Sequence, residues 1–436
     1  MNILLIGSGG REHAFAVKIT DSPRCSKLYV APGNAGTSAI AENVSLAVTD
    51  FEGIKEFILS HHIDMVVVGP EEPLVKGISD FLSTEPATKN IIVVGPSQQG
   101  AALEGSKDFS KQFMARNGIP TAAYQSFTKD TVDEGLGFIR RQQLPIVLKA
   151  DGLAAGKGVL ILESYEEAEK GLKEMLLESK FGAASSKVVV EQYLSGIELS
   201  VFVATDGVGY RILPEAKDYK RIGEQDTGLN TGGMGAVSPV PFADQAFMQK
   251  VEEKVVKPTV EGLRKEGIDY KGFLFIGLMN VGGDPWVIEY NVRMGDPETQ
   301  AVLPRIKSDF VDLLHSIGSK TVSSYTLEID PGATATVVMV AGGYPGDYNK
   351  GSIIKGLDSP AHQSTFTFHA GTQADQAGDT LTNGGRVLGV TGKGANIKEA
   401  IAQAYNRVNQ ISWDGHYYRK DIGQDILRYD DAKVPT

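Results

Sequence analysis

Short apolar runs punctuate the first stretch of the chain: NILLIG, KLYVAPG, DMVVVGP and NIIVVGP, each closing on glycine, proline or both. Between them, GREHAFAVKIT and EEPLVKGISDFL space their apolar residues as helices do. Apolar runs without polar alternation fit strands buried on both faces, and helices between such strands make the sheet parallel. Residues 1–102 are therefore expected to form a parallel α/β unit. Its loops at the strand C-terminal ends are where open sheets of this kind bind ligands. Residues 121–190 predict a smaller unit: the strand AAYQSF, a helix near 131–142, two strands IVLK and VLIL facing each other across a loop, a helix near 164–179, and the strand KVVVEQYL. From 191 to about 325 the pattern changes to an antiparallel α+β piece, with GIELSVFVATDG, a helix near 245–266, GFLFIGLMNV and PWVIEYNVR. The last part begins with GATATVVMVAGGYPG and carries a helix near 397–410.

Composition narrows the class without changing this division. A chain of 436 residues exceeds one ordinary core, so several domains are expected. The formal charge of −11 disfavours a general nucleic-acid or membrane binder. Cys25 is the only cysteine, which excludes a disulfide framework and a cysteine-based metal site. No apolar run approaches the roughly 18 residues of a membrane span, and MNILLIGSGG lacks the cationic start of a signal peptide. A cytoplasmic protein is the expectation.

Four segments carry candidate chemistry. The first is LKADGLAAGKGV, between two strands. It is not the nucleoside-triphosphate loop that joins a strand to a helix: Gly152 and Gly156 are one residue too close, and Gly158 stands where a metal-binding hydroxyl belongs. A hairpin loop of small residues can still lie over a triphosphate, with Lys149 and Lys157 adding charge; a surface turn is the competing reading. The second is VIEYNVRMGDPETQ. Strand alternation puts Glu289, Asn291 and Arg293 on one face and Ile288, Tyr290 and Val292 on the other. A carboxylate and an amide oxygen suit Mg²⁺ carrying phosphates, and Arg293 suits an anionic substrate; a merely solvated face is the alternative. The third, residues 216–239, is so polar that it is expected outside any core, as an ordered site loop or a surface loop. The fourth is GSGGREH. It fails the dinucleotide pattern because Glu12 stands at the third glycine position, but Gly9, Gly10 and Arg11 could form a phosphate site at a helix N-terminus.

Taken together with APGNAGT, VVGPEEPLVKGI, LEGSKDF, AGGYPGDY, HAGT and TNGGRVL, these motifs resemble the ATP-grasp ligases, and among them the phosphoribosylamine–glycine ligase family. They run in family order from residue 3 to about 423, and GREHA, NTGGMGA and RMGDPETQ in this order form a specific signature. The resemblance implies a parallel N-terminal domain over 1–102, a two-part ATP-grasp domain over 103–325 with its lid at 121–190, and a C-terminal α+β domain over 326–436. It implies ATP-driven joining of glycine to 5-phosphoribosylamine through glycyl phosphate, with Mg²⁺ or Mn²⁺, in a monomer or weak dimer. By the same resemblance Lys107 and Lys149 would contact ATP phosphates beneath Gly152, Gly156, Lys157 and Gly158. Glu191, Tyr193 and Leu194 would form the adenine-side hinge, and Glu198 would take the ribose. Glu289 and Asn291 would hold the metal, while Arg293, Lys220 and Asp218 would serve the reacting end. Gly9, Gly10, Arg11, Glu71, Asn230, Gly232, Gly233 and Asp296 would bind substrate. Leu229, where the family often has proline, and Met294, where phenylalanine is common, are the visible departures.

Other residues are expected to be bland. His61 and His62 close a helix, His13 has a local partner or touches substrate, and Trp413 with YYRKDIG packs near the end, although Lys420 or Asp421 could close over a site. A carboxylase-type or formate-using ATP-grasp enzyme, and a nucleotide-binding protein without turnover, remain alternatives at this stage.

Overall fold

The computed structural model describes residues 1–153 and 158–431. The N-terminal sheet has strands β1 (Asn2–Gly7), β2 (Lys27–Pro32), β3 (Glu42–Asn43), β4 (Met65–Val68) and β5 (Ile92–Val94), all parallel in the order β3-β2-β1-β4-β5. Side chains of β1 are buried on both faces: Leu4 and Ile6 join one apolar cluster, Ile3 and Leu5 another. Helix α1 (Gly10–Thr20) leaves β1 and buries Phe15 and Ile19. The helical stretch after β4 is broken in two, because Gly77 adopts φ +88 between Glu71–Val75 and Ile78–Thr84.

A second sheet holds β6 (Tyr124–Thr128), β7 (Ile146–Ala150), β8 (Val159–Leu162) and β9 (Lys187–Gln192), in the order β6-β9-β7-β8. β7 and β8 pair antiparallel, with Lys149 opposite Val159, so the glycine-rich loop does join two strands of a hairpin. Next come β10 (Ile197–Thr205), β11 (Tyr210–Ile212), β12 (Lys217–Asp218), β13 (Arg221–Gly223), β14 (Thr227–Asn230) and β15 (Gly235–Ser238). β16 (Gly272–Val281) and β17 (Asp284–Asn291) complete an antiparallel sheet ordered β11-β10-β16-β17. Behind it packs a helical stretch, Gln245–Val251 continuing through Lys257–Lys265.

The C-terminal sheet departs from the expected division. It contains β18 (Ala333–Val340), β19 (Thr365–His369) and, beyond the small hairpin of β20 (Thr372–Ala374) and β21 (Thr380–Thr382), β22 (Arg386–Gly394). Its order is β12-β15-β18-β22-β19, so two strands come from the polar segment at 216–239. That segment was expected outside any core, yet Tyr219, Met234 and all of β15 are buried. Composition averaged over the segment hid a short apolar register: Met234, Ala236 and Val237 are covered by the C-terminal elements.

Candidate active site

β17 sets the site through one irregularity. Gly277 pairs with Glu289 and Leu278 with Val287, which leaves Ile288 as an extra residue, a β-bulge. The bulge inverts the alternation, so Val287, Tyr290 and Val292 all enter the core while Ile288 is only partly buried. Assigning Ile288 to the same buried face as Tyr290 therefore fails, because strict alternation does not survive a bulge. Its carbonyl is freed from the ladder and accepts a hydrogen bond from Lys149 Nζ at 3.1 Å.

Around Glu289 the chain gathers cations from separate elements. Lys107, the first residue of the helix Lys107–Arg116, donates to the Gly152 carbonyl at 3.1 Å, which ties that helix to the base of the hairpin loop. Lys149 on β7 also meets Glu191 Oε2 at 3.0 Å. Lys111, one turn after Lys107, meets the same oxygen at 3.0 Å and donates to Thr121 Oγ1 at 2.7 Å. Glu191 Oε1 is buried without a hydrogen-bond partner. Burial pulls the Lys107 ammonium below its ordinary pKa and takes Lys111 down to about 8. Burial would raise the Glu289 carboxyl, but Lys220, Lys149 and Lys107 outweigh it and hold the group below the usual carboxylate range. Asp218 and Glu198 keep Lys220 charged, the latter at 3.2 Å. Burial raises the Asp218 carboxyl despite Lys220.

Glu298, which the sequence did not single out, is buried beside Asp218 with Ser200 Oγ donating to Oε1 at 3.4 Å. Burial first and Asp218 second push its carboxyl up to about 7. A carboxyl raised on folding stabilises fully below its unfolded pKa, and that contribution fades as pH climbs through the folded value. Ligand-free protein should therefore lose stability as pH rises from about 4.3 towards 7 and the buried Glu298–Asp218 pair ionises. Glu298→Gln should flatten that slope in urea titrations; parallel wild-type and variant pH profiles would refute the assignment.

A second knot of charge closes the far end. Arg293 donates to Glu104 Oε1 at 2.8 Å, Glu71 Oε2 at 3.3 Å, Asn291 Oδ1 at 3.2 Å and the Met294 carbonyl at 3.3 Å. Glu104 also accepts from Val292 N at 2.8 Å. Arg11 is buried; its Nε donates to Glu12 Oε1 at 2.7 Å and its Nη1 to the Met294 carbonyl at 3.0 Å. Two amides at the α1 N-terminus are already taken by carboxylates: Gly9 N donates to Glu12 and Arg11 N to Asp296. Of the amides in the motif that suggested a phosphate site, those of Gly9 and Arg11 thus have acceptors within the chain. Burial opposes ionisation of Asp296, but Arg386 and Arg11 prevail and keep its carboxyl low. Arg386 Nη1 also donates to the carbonyls of Gly232 and Asp296, each at 2.7 Å.

The remaining candidates divide by position. Gly233 sits at φ +120, and a Cβ there would run into Pro297, so glycine is required. Gly232 N donates to the Tyr344 hydroxyl, and Gly10 lies against Gln300. Gly158 closes the hairpin through its carbonyl to Ala150 N, and Gly152 packs near Ala184. Tyr193 and Glu198 are exposed, Leu194 is partly buried, and Asn230 lies exposed on β14. Gly156 and Lys157 lie outside the described residues. His13 is occupied locally: its Nδ1 accepts from His369 N at 2.7 Å, and burial lowers its pKa to about 3.

Lys107, Lys149 on β7 and Lys220 thus come from separate stretches of the chain to face Glu289 on β17. Family descriptions match along the chain: the N domain of phosphoribosylglycinamide synthetase over residues 1–104, its ATP-grasp (A) domain over 105–299 and its C domain over 334–425. The phosphoribosylamine–glycine ligase of Vibrio vulnificus (strain YJ016) is 45% identical, covering 99% of this chain and 100% of the relative. The chain belongs to the phosphoribosylamine–glycine ligase family.

The ligase joins glycine to 5-phosphoribosylamine at the expense of ATP, giving glycinamide ribonucleotide in purine biosynthesis. The crystal structure of the Thermotoga maritima phosphoribosylamine–glycine ligase superposes with a TM-score of 0.83 at 34% identity, covering 97% of this chain and all of that one. The biotin carboxylase domain of Hydrogenobacter thermophilus 2-oxoglutarate carboxylase shares the fold, with a TM-score of 0.73 at 16% identity over 99% of this chain and 94% of that one. It was solved with MgADP and bicarbonate. No described helix is long and apolar enough to cross a membrane. Lys111, Glu104, Glu298 and Arg386 are the site residues that sequence reasoning left unassigned. Glu104, Glu298 and Arg386 stood in the quoted motifs LEGSKDF, RMGDPETQ and TNGGRVL, while Lys111 stood in none.

Proposed function

We propose that this ligase works through glycyl phosphate, formed and consumed in the cleft between β17, the β7–β8 hairpin and the 217–220 strip. The observation that carries this reading is Glu289: a carboxylate with no hydrogen bond from another side chain among the described residues, faced by Lys107, Lys149 and Lys220. Such a set is built to hold several phosphate oxygens together with a cation. Glu289 and Asn291 offer two hard oxygens, and among the described residues Asn291 Oδ1 is engaged only by Arg293. Among the described residues no group of three or more His, Cys, Asp or Glu is arranged around an ion. The two oxygens of Glu289 and Asn291 fit Mg²⁺ or Mn²⁺, whose remaining ligands would be phosphate and water. The ion supplies charge neutralisation on the phosphate oxygens.

Lys107 and Lys149 would hold the ATP phosphates, with Gly152, Gly156, Lys157 and Gly158 over them. Glu191, Tyr193 and Leu194 would line the base, and Glu198 the ribose. A glycine carboxylate oxygen attacks the γ-phosphorus and ADP leaves. The sugar amine then attacks the acyl carbon, and phosphate departs with that glycine oxygen. Asp218, Lys220 and Arg293 would position the glycyl group, so the enzyme contributes alignment and charge rather than a covalent nucleophile. Glycine labelled with ¹⁸O in the carboxylate should pass one label to inorganic phosphate; unlabelled phosphate would exclude the intermediate.

Gly9, Gly10, Arg11, Glu71, Asn230, Gly232, Gly233 and Asp296 would serve the phosphoribosylamine end. Arg11→Ala should raise KM for phosphoribosylamine much more than for ATP, and equal effects would remove Arg11 from that end. The division at residues 102 and 325, a monomeric or weakly dimeric state and a cytoplasmic setting belong to the same proposal. Sedimentation of the purified protein tests the oligomeric part, which a stable higher oligomer would overturn.

A further inference from the structure

The strip carrying Asp218 and Lys220 has its backbone held by β10 through the Ser200–Ala216 bridge, by β15 and by Thr231, which leaves the direction of its side chains to packing. β12 is a two-residue edge strand, paired only with β15 within its sheet. The next element, the β13–β14 hairpin, is a two-stranded sheet with no further strand beside it among the described residues. Isolated two-stranded hairpins are marginal in water, so something else must hold this one. Its turn makes the need greater: Gln225 (φ 56) and Asp226 (φ 54) are consecutive non-glycine residues in the left-handed region. Such residues persist where their surroundings over-determine them.

Those surroundings are the segment Tyr417–Asp425. The Tyr417 hydroxyl donates to the Ile222 carbonyl at 3.0 Å, and Asp421 Oδ2 accepts from Gln225 N at 2.7 Å. Arg419, 1% exposed, is the hub. Its Nε and Nη2 grip Asp421 at 2.8 and 2.7 Å, while Nη1 donates to Asp226 Oδ1 at 2.7 Å and to the Arg221 carbonyl at 3.2 Å. Its guanidinium lies 5.2 Å from the Tyr219 ring centroid. Tyr219 is pinned in turn by its hydroxyl, which donates to Asp425 Oδ1 at 2.5 Å and accepts from Gly423 N at 3.0 Å. Lys217 covers the same ring at 3.8 Å. In extended backbone, neighbours of a residue point to the opposite side. Anchoring Tyr219 into the C-terminal core therefore orients Asp218 and Lys220 the other way, where Lys220 meets Glu198.

We propose that Arg419 is a positioning residue for ligation: it locks the Tyr417–Asp425 strap onto Tyr219 and the β13–β14 hairpin, and so fixes Asp218 and Lys220 in the cleft. The inference rests on the reading of Asp218 and Lys220 as the glycyl end of the site. A lysine cannot replace Arg419, because four acceptor atoms from three residues and a ring face require the planar fork.

The test measures kcat, KM for each substrate, ATP affinity and hydrogen exchange in full-length Arg419→Ala, Arg419→Lys, Asp226→Ala and the Arg419→Ala/Asp226→Ala double variant. Exchange should quicken at residues 221–230, and kcat should fall at least tenfold with ATP affinity within twofold of wild type. Arg419→Lys should recover little. Asp226→Ala should add little to Arg419→Ala, because both cut one tie. Unchanged kcat with quickened exchange, or strictly additive losses, would overturn the proposal. If Arg419→Ala does not fold, Asp226→Ala carries the test, since the Asp226 side chain is 56% exposed. Lys220→Ala separates the two readings. Normal turnover in that variant sinks the assignment of the glycyl end; an inactive Lys220→Ala beside a fully active Arg419→Ala sinks the positioning role alone.

Discussion

Glu289→Ala is expected to lower kcat by about 10²–10³-fold, the range seen when one preorganised electrostatic group is removed from a reacting centre. The protein should remain folded, because Glu289 lies beside the β17 bulge and leaves the core to Val287, Tyr290 and Val292. Its loss does two things. It deprives the metal of its only charged protein ligand in the proposed pair, and it leaves Lys107, Lys149 and Lys220 without the carboxylate they share. Turnover measured against Mg²⁺ concentration should lose its saturable rise, and an unchanged kcat at saturating Mg²⁺ would refute the metal assignment. The same lysines give an acid signature. A carboxyl held low on folding stabilises above its unfolded pKa, and that stability disappears as pH falls past that value and through the lower folded one. Glu289→Gln should weaken that acid limb.

Arg293→Met should cost about 3–5 kcal/mol, the usual penalty for removing one partner from a buried ion pair. Here two carboxylates lose their counter-charge. Glu104 is buried, and burial already raises its pKa against the pull of Arg293. Glu71 is kept ionised because Arg293 and Arg11 overcome its burial. Arg293 also joins parts of the chain 222 and 189 residues apart, so the seam between the N-terminal sheet and β17 should loosen as well. A lowered urea midpoint that Glu104→Gln partly restores in the Arg293→Met background is the expected result. A variant that unfolds like wild type would mean the arginine is free for substrate and not needed for the seam.

Much of this site was legible before any coordinates. Lys149, the hairpin and the Glu289–Asn291 pair could be read because each depends on spacing within a few residues. The reading of Ile288 failed because a bulge is decided by how β16 and β17 pair, which no single-strand pattern records. The 216–239 segment was misjudged for a similar reason: its polarity is real, but β15 is buried by β18, a strand roughly a hundred residues later in the chain. Gly9, Gly10 and Arg11 suggested an anion site, but the contact of Asp296 with Arg11 N, across 285 residues, is not written in that motif.

The sequence by itself determined the elements, the glycine turns and the family, since apolar periodicity and short motifs are properties of neighbouring residues. Only the tertiary structure decided which acid neutralises which base: Glu191 with both Lys111 and Lys149, Glu104 and Glu71 with Arg293, Asp226 and Asp421 with Arg419. Coulomb attraction acts through space, while a sequence records only order along the chain, so charge partners appear once folding has closed the distance.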